Sequence, residues 1–399
     1  MRTRRAHTVN PVVAISISVA VAALVVGTLG ASAAAKPSGP PVKLMLISEF
    51  SGGVTTPEIA NGAKAAVKAL NAKNGINGSP VTLTVCDTKN DPNTATDCGQ
   101  QAVDGKYLAV VGSQSVQAGK FFPLLQAAKI PVVGNNVADP ADFINPSSFP
   151  LSGGILSTIG GLASALADAG SKKISVGYID VAQGAVIPVL ANNALKRYNL
   201  TIQNKVPIPA GAPDLASYVE AATAGGTDGI ILAITGQDAI NFIQAFISSG
   251  KTGVKFALIT TDAAAVIKVI KGQKLDFYGS ASFDRANKQF LADLKAAGFK
   301  KPPVGQEVVS YAAVMATAQA AKGLTTLDAP SLFAKLPTTS IDLGSILPVV
   351  DFAKAGSAIS LAPRVSNVCV RTSKLGKTDY VIKSKNWFDA YTGTTCTAG

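Results

Sequence analysis

Histidine is almost missing: the single one among 399 residues is His7. Imidazole acid–base catalysis, Ser/His/Asp or Cys/His nucleophiles and histidine-ligated metals therefore have no donor beyond the first few positions. Hydrolysis run on carboxylates alone survives this exclusion, but it needs acid pairs close together at strand ends, and none stand there. Cysteine is scarce as well. Cys86, Cys98, Cys369 and Cys396 lack Cys-x-x-Cys spacing, which argues against a zinc site and for disulfides in an oxidising compartment. Four cysteines allow three pairings, of which the two local ones, Cys86 with Cys98 and Cys369 with Cys396, are favoured. Coiled-coil heptads, low-complexity tracts and short solenoid repeats are missing. Gly250-Lys251-Thr252 and Gly376-Lys377-Thr378 carry only the tail of a phosphate loop, since Ala245 and Arg371 stand where the first glycine belongs. No dinucleotide fingerprint follows the first strand, so no cofactor is expected.

The chain is basic, with a formal net charge of +12. Beyond the N-terminal arginines, only Lys172-Lys173, Lys196-Arg197 and Lys300-Lys301 are adjacent cations. A nucleic-acid protein would gather them on one strip; scattered singly, they read as a solvated surface, and no nucleic-acid partner is expected.

The N-terminus reads as an export signal. Arg2, Arg4 and Arg5 precede an apolar run over residues 12–29, and Ala31-Ser32-Ala33 offers a small-residue cleavage site. Retention as a membrane anchor is the alternative, because the run just reaches the lower end of a bilayer span, roughly 17–20 residues. No cysteine lies near residue 33, so a lipid anchor is not expected. Residues 36–41 form a flexible leader. About 365 residues remain, more than one hydrophobic core usually serves, so two domains are expected.

From residue 42 onward, apolar strands alternate with amphipathic helices. Residues 42–47 form a buried-strand run, and Ile59, Gly62, Ala63, Ala66, Val67 and Leu70 recur at helical spacing. Asn74-Gly75 and Asn77-Gly78 then punctuate a turn. Further strands are predicted at 81–85, 108–111 and 131–133, and a second series at 173–179, 201–206, 229–234 and 255–259. Helices intervene throughout. Such alternation implies an α/β fold with parallel sheets covered on both faces, in two similar lobes.

In open parallel sheets, ligands bind beyond the carboxyl ends of strands. The residues there are small, neutral and hydrogen-bonding. Phe50 and Ser51 follow the first strand, and Gln114 and Ser115 follow the third. Asn135 and Asn136 come after the fourth. Gln183, Gln237 and Asp262 occupy the corresponding ends in the second series. Taken singly, Asp262 fits a helix cap, and Phe50 and Tyr178 fit core positions. As a set they can hold a small polar molecule, and none looks like an activated nucleophile.

These segments resemble type 1 periplasmic binding proteins, nearest to the leucine/isoleucine/valine-binding receptors of ABC importers. The resemblance rests on residues 62–70 with Gly75-Ile76-Asn77-Gly78, on Val110-Val111-Gly112-Ser113-Gln114-Ser115, and on Ile130-Pro131-Val132-Val133. It is extended by Tyr178-Ile179-Asp180 with Gly184, by Gly229-Ile230-Ile231-Leu232, and by Ser310-Tyr311-Ala312-Ala313-Val314. It covers roughly residues 42–322 and thins afterwards.

The resemblance implies two doubly wound lobes joined by a three-crossover hinge. Residues 42–152 with 281–340 would form the N-terminal lobe, and 153–280 with 341–399 the C-terminal one. It implies a monomeric receptor in the periplasm or at the cell surface that closes on an amino acid or related small molecule and presents it to a membrane permease. The family's carboxylate-binding serine aligns with Val116, next to Ser115, its threonine with Ala138 and a ligand tyrosine with Gln183. The acid that pairs with the ligand ammonium is retained as Asp262. A sensory module of the same fold is the alternative reading.

Overall fold

A computed structural model describes residues 37–52, 55–234, 236–259, 262–356 and 362–397. The export segment expected over residues 1–35 lies outside these residues, as do Thr235, Thr260, Thr261 and the side chain of Gln183.

The first half alternates as β1 (Val42–Ser48), α1 (Ile59–Asn71), β2 (Val81–Asp87), α2 (Pro92–Asp104), β3 (Ala109–Val111) and α3 (Ala118–Ala127). It ends with β4 (Val132–Val133), a short α4 (Pro140–Ile144) and β5 (Ser148–Phe149). All five strands pair in parallel, in the order β2-β1-β3-β4-β5. Because a parallel sheet is covered on both faces, β1 is apolar nearly throughout, and its alternation sorts side chains between two layers. Leu44 and Leu46 pack in one core with Ile59 of α1, while Met45 and Ile47 pack in another with Ala95 and Phe121 of the opposite helices. Cys86 and Cys98 are bonded, tying β2 to α2.

The second series runs α5 (Ile155–Asp168), β6 (Ile174–Ile179), α6 (Ile187–Leu195), β7 (Ile202–Ile208), α7 (Ala216–Thr223), β8 (Gly229–Ala233) and α8 (Gly236–Ser248). It continues with β9 (Lys255–Leu258), α9 (Ala263–Val269) and β10 (Asp276–Ala281). The same two-faced logic holds here. Ile231 and Ala233 of β8 face a core with Leu162 of α5, whereas Ile230 and Leu232 face one with Phe242 of α8.

The chain then returns to the first sheet with α10 (Lys288–Ala296) and α11 (Gln306–Ala321), which lies along α1. Next come α12 (Ala329–Lys335) and an antiparallel pair, β11 (Ser340–Ile341) with β12 (Val350–Asp351). Ile341, Ile346, Val350 and Phe352 sit in the same core as Leu44 and Val308. Residues 341–352, expected with the second lobe, thus pack on the first, because their apolar side chains complete the core around α11. Finally β13 (Cys369–Leu375), β14 (Tyr380–Ile382) and β15 (Phe388–Asp389) extend the second sheet, whose order is β14-β13-β10-β9-β8-β6-β7. β13 pairs antiparallel with β10, and the Cys369–Cys396 disulfide closes this C-terminal region. Trp387 is buried there beneath the guanidinium of Arg371, a packing position.

Candidate functional site

The carboxyl ends of β3 and β4 turn sharply at Gly112 and Gly134, both at positive φ (61° and 66°). A Cβ on Gly134 would lie 2.5 Å from that of Ala313, so only glycine lets this loop start so close to α11. The loops that follow face the start of α5 and the loop after β6 across a cleft of about 690 Å³. On the first-sheet side Gln114, Asn136, Val137, Ala138, Phe143, Ile144 and Gln306 line it. On the second-sheet side Ile155, Leu156, Thr158, Ile179, Val181, Val186, Ile187, Leu190 and Ile234 do so.

One polar cluster stands in this cleft. Asn136 Nδ2 donates to Gln114 Oε1 (2.7 Å) and to Gln306 Oε1 (3.3 Å), joining the ends of β3 and β4 to the first residue of α11. No Asp, Glu, Lys or Arg is among the described lining residues.

The other expected contacts are drawn into the protein's own scaffold. Ser115 Oγ and the Val116 N–H both donate to Glu49 Oε1, at 2.7 and 3.0 Å. Burial pushes the Glu49 carboxyl up, and those two bonds pull it partly back. The donors of this loop are thus already taken by the side chain that directly follows β1. Asn135 is buried and donates to Asp142 Oδ1 (2.6 Å) and Ser148 Oγ (3.1 Å). The Ala138 and Asp139 N–H groups donate to Asp142 Oδ2, at 3.0 and 2.9 Å, so Asp142 shapes the loop from below. Burial drives its carboxyl up to about 7, against the hydrogen bonds from Ala138, Asp139 and Asn135 that favour the charged form.

Phe50 and Ser51 lean on Asp87 instead. The Phe50 N–H donates to Oδ1 (2.9 Å) and Ser51 Oγ to Oδ2 (2.6 Å), and the Phe50 ring packs against the first core. Gln237 is exposed and bonds along α8 to Asn241 (2.9 Å). Asp262 is exposed and caps α9 by accepting from the Ala265 N–H (3.0 Å), the ordinary helix-start role. Of the expected set, the structure therefore brings Gln114, Asn136 and Ala138 to the cleft. It holds Phe50, Ser51, Ser115, Val116, Asn135, Gln237 and Asp262 on partners outside its lining. Among the described residues, no three His, Cys, Asp or Glu side chains come together as metal ligands.

Sequence reading missed the apolar lining and Gln306. Ile187 and Leu190 carried no separate signal, because they recur at the helical spacing of the α6 face that packs into the core with Leu162. Gln306 carried none: a glutamine at a helix start is ordinary until tertiary packing brings it to Asn136.

A family model described as periplasmic binding protein matches residues 41–362. Curated proteins give no match. Among solved structures, the chain is similar to a solute-binding protein of an ABC transporter from Rhodopseudomonas palustris in complex with p-hydroxybenzoic acid. That likeness has 17% identity and a TM-score of 0.72, covering 88% of this chain and 98% of that one. A leucine-binding protein from Thermotoga maritima shares 16% identity at a TM-score of 0.65, covering 86% and 98%. A periplasmic binding protein from Burkholderia mallei shares 19% at 0.69, covering 89% and 96%. At these identities the structural likeness is one of fold, a two-sheet α/β architecture common to all three. With the family model spanning most of its length, the chain belongs to the periplasmic binding protein family.

Proposed function

We propose that this protein is an extracytoplasmic solute receptor that captures a small molecule between its two sheets and delivers it to the membrane permease of an ABC importer, without catalysing a reaction on it. One observation carries the reading: a single cleft is walled from both sheets, and large apolar residues stand exposed along both lips. Ile144 on the first-sheet side is 59% exposed, and Val181 and Val186 on the other side are 46% and 36% exposed. Exposed isoleucine and valine facing a cleft gain from being covered, roughly 1–2 kcal/mol each for partial burial. Closure about a solute would cover them, and ligand contacts to both sides made only in the closed form would drive it. Hinge closure of two lobes about a ligand is the motion that periplasmic binding proteins as a class undergo.

In this reading the hinge lies where the chain passes between cores, near residues 150–154, 281–284 and 352–362. Residues 42–152 with 281–352 would then move against 153–280 with 362–397. Export to the periplasm or cell surface follows from the family together with the N-terminal signal pattern. Among the described residues no helix is long and apolar enough to cross a membrane.

Thermal unfolding against a library of amino acids, small acids, amides and neutral apolar compounds tests the reading. A solute at 100 times its dissociation constant should add about 2.7 kcal/mol of stability. A Val181→Glu change on the lip should remove most of that gain while leaving the unliganded protein folded. A protein that no solute stabilises, and whose scattering profile no solute changes, would overturn the receptor reading.

A further inference from the structure

The cleft sorts its surface chemistry. Val137 and Phe143 on one wall and Ile155, Ile187 and Leu190 on the other are apolar. The side-chain amides of Gln114, Asn136 and Gln306 are gathered into one hydrogen-bonded group. Each amide is neutral whichever way it is turned, so the group offers N–H donors and carbonyl acceptors with no net charge. With Asn136 donating to both glutamine oxygens, Gln114 Nε2 and Gln306 Nε2 have no partner among the described residues. A solute oxygen would meet two available donors there.

Ionic groups find no such welcome. The described lining has no charged side chain to offset a carboxylate or an ammonium, and a charge taken from water without a partner is strongly disfavoured. The adjacent loop donors, Ser115 Oγ and the Val116 N–H, are already used by Glu49. An ionised Glu49 would itself repel an incoming carboxylate. Before closure the cleft of about 690 Å³ also has room for a solute larger than a simple amino acid.

We propose that the solute is an uncharged molecule with a large apolar body, alicyclic or aromatic, and one carbonyl, amide or hydroxyl end that pairs with the Gln114–Asn136–Gln306 amides. The proposal rests on reading this cleft as the solute site. The apolar body would lie between Ile144 on one side and Val181 and Val186 on the other, where closure removes most of its surface from water.

The test uses the purified protein and three probes with one apolar body and different ends: biphenyl-4-carboxamide, biphenyl-4-carboxylate and the amino acid 4-phenylphenylalanine. Binding is followed by thermal unfolding and by titration calorimetry at pH 7.5. The expected result is that the amide binds at least tenfold more tightly than the carboxylate and the amino acid. Asn136→Ala and Gln306→Ala should each weaken the amide by about tenfold, with melting of the unliganded protein unchanged as the check on folding. Val186→Glu, at a partly exposed position on the opposite wall, should abolish amide binding independently of the polar end, again with melting of the unliganded protein unchanged. If the carboxylate or the amino acid binds as tightly as the amide, or more tightly, the ligand class is overturned while the receptor reading stands. If the amide binds but neither polar substitution weakens it, the assignment of the polar end is overturned. If no probe binds at millimolar concentration, the ligand class and the use of this cleft fail together.

Discussion

Gly62 stands inside α1 where that helix lies against the first turn of α11, and alanine there should destabilise the protein. A Cβ added to Gly62 would sit 1.7 Å from the Glu307 carbonyl oxygen and 2.6 Å from Ser310 Oγ. Ordinary carbon–oxygen contact needs about 3.3 Å, so the helices would have to separate by roughly 1.5 Å. The obstacle is backbone, which cannot rotate aside as a side chain can. Separation would also strain the hydrogen bond that the Ser310 hydroxyl donates to the Ile59 carbonyl. Helix propensity acts the other way, since alanine in a helix interior is favoured over glycine by about 1 kcal/mol. Overpacking at the severe end costs about 3 kcal/mol, leaving a net loss of about 2 kcal/mol. With an unfolding entropy near 2.1 cal/mol/K per residue, a chain of this size should lose about 3 °C in Tm. Urea unfolding and calorimetry of Gly62→Ala measure both quantities. A gain of about 1 kcal/mol, the propensity sign, would refute the close approach of α1 and α11.

Asp142 should make stability depend on pH. Its folded pKa is raised, so the native state holds a proton that the unfolded chain releases near pH 4. The contribution of Asp142 to stability is therefore greatest below about pH 4, falls as pH rises and levels off above about 7. Urea unfolding at pH 5 and pH 8 should show a loss of up to about 2–3 kcal/mol assignable to this group, and Asp142→Asn should flatten that slope; an unchanged slope counts against a buried neutral Asp142. Reducing the disulfides should cost about 3 kcal/mol each for closed loops with separations of 12 and 27 residues, read as a drop in melting temperature in dithiothreitol that a Cys369→Ser/Cys396→Ser variant reproduces for the longer loop. Glu49→Ala strands the Ser115 hydroxyl and the Val116 N–H and should cost about 1–3 kcal/mol. Glu49→Gln keeps an acceptor in place and should cost less; equal losses would show that Glu49 does not hold this loop.

The alternation of elements was legible because it is a local property. β1 is a run of apolar residues feeding two cores, and α1 places Ile59, Ala63 and Ala66 on one face; both patterns survive in any arrangement of the lobes. The local disulfide pairs were favoured in the sequence and are the ones formed. Less was legible at the cleft. Strand-end position pointed to Gln114 and Asn136, which do line it, but the same rule nominated Ser115 and Asp262 equally. A serine hydroxyl at a strand end looks identical whether it awaits a ligand or serves a carboxylate from another strand. The short elements β11 and β12 gave no periodic signal, and their docking depends on a core shared with Leu44 and Ile59, far earlier in the chain.

The sequence by itself determined the fold class and the parallel sheets. Those follow from hydrophobic period, turn residues and composition, all of which act within a few residues of one another. Tertiary structure alone decided which side chains meet there. Glu49 reaches Ser115 across 66 positions, and Asn136 reaches Gln306 across 170. Hydrogen bonds between side chains so far apart are set by how sheets and helices pack, and that packing turns a row of polar strand ends into an apolar cleft with one neutral polar corner.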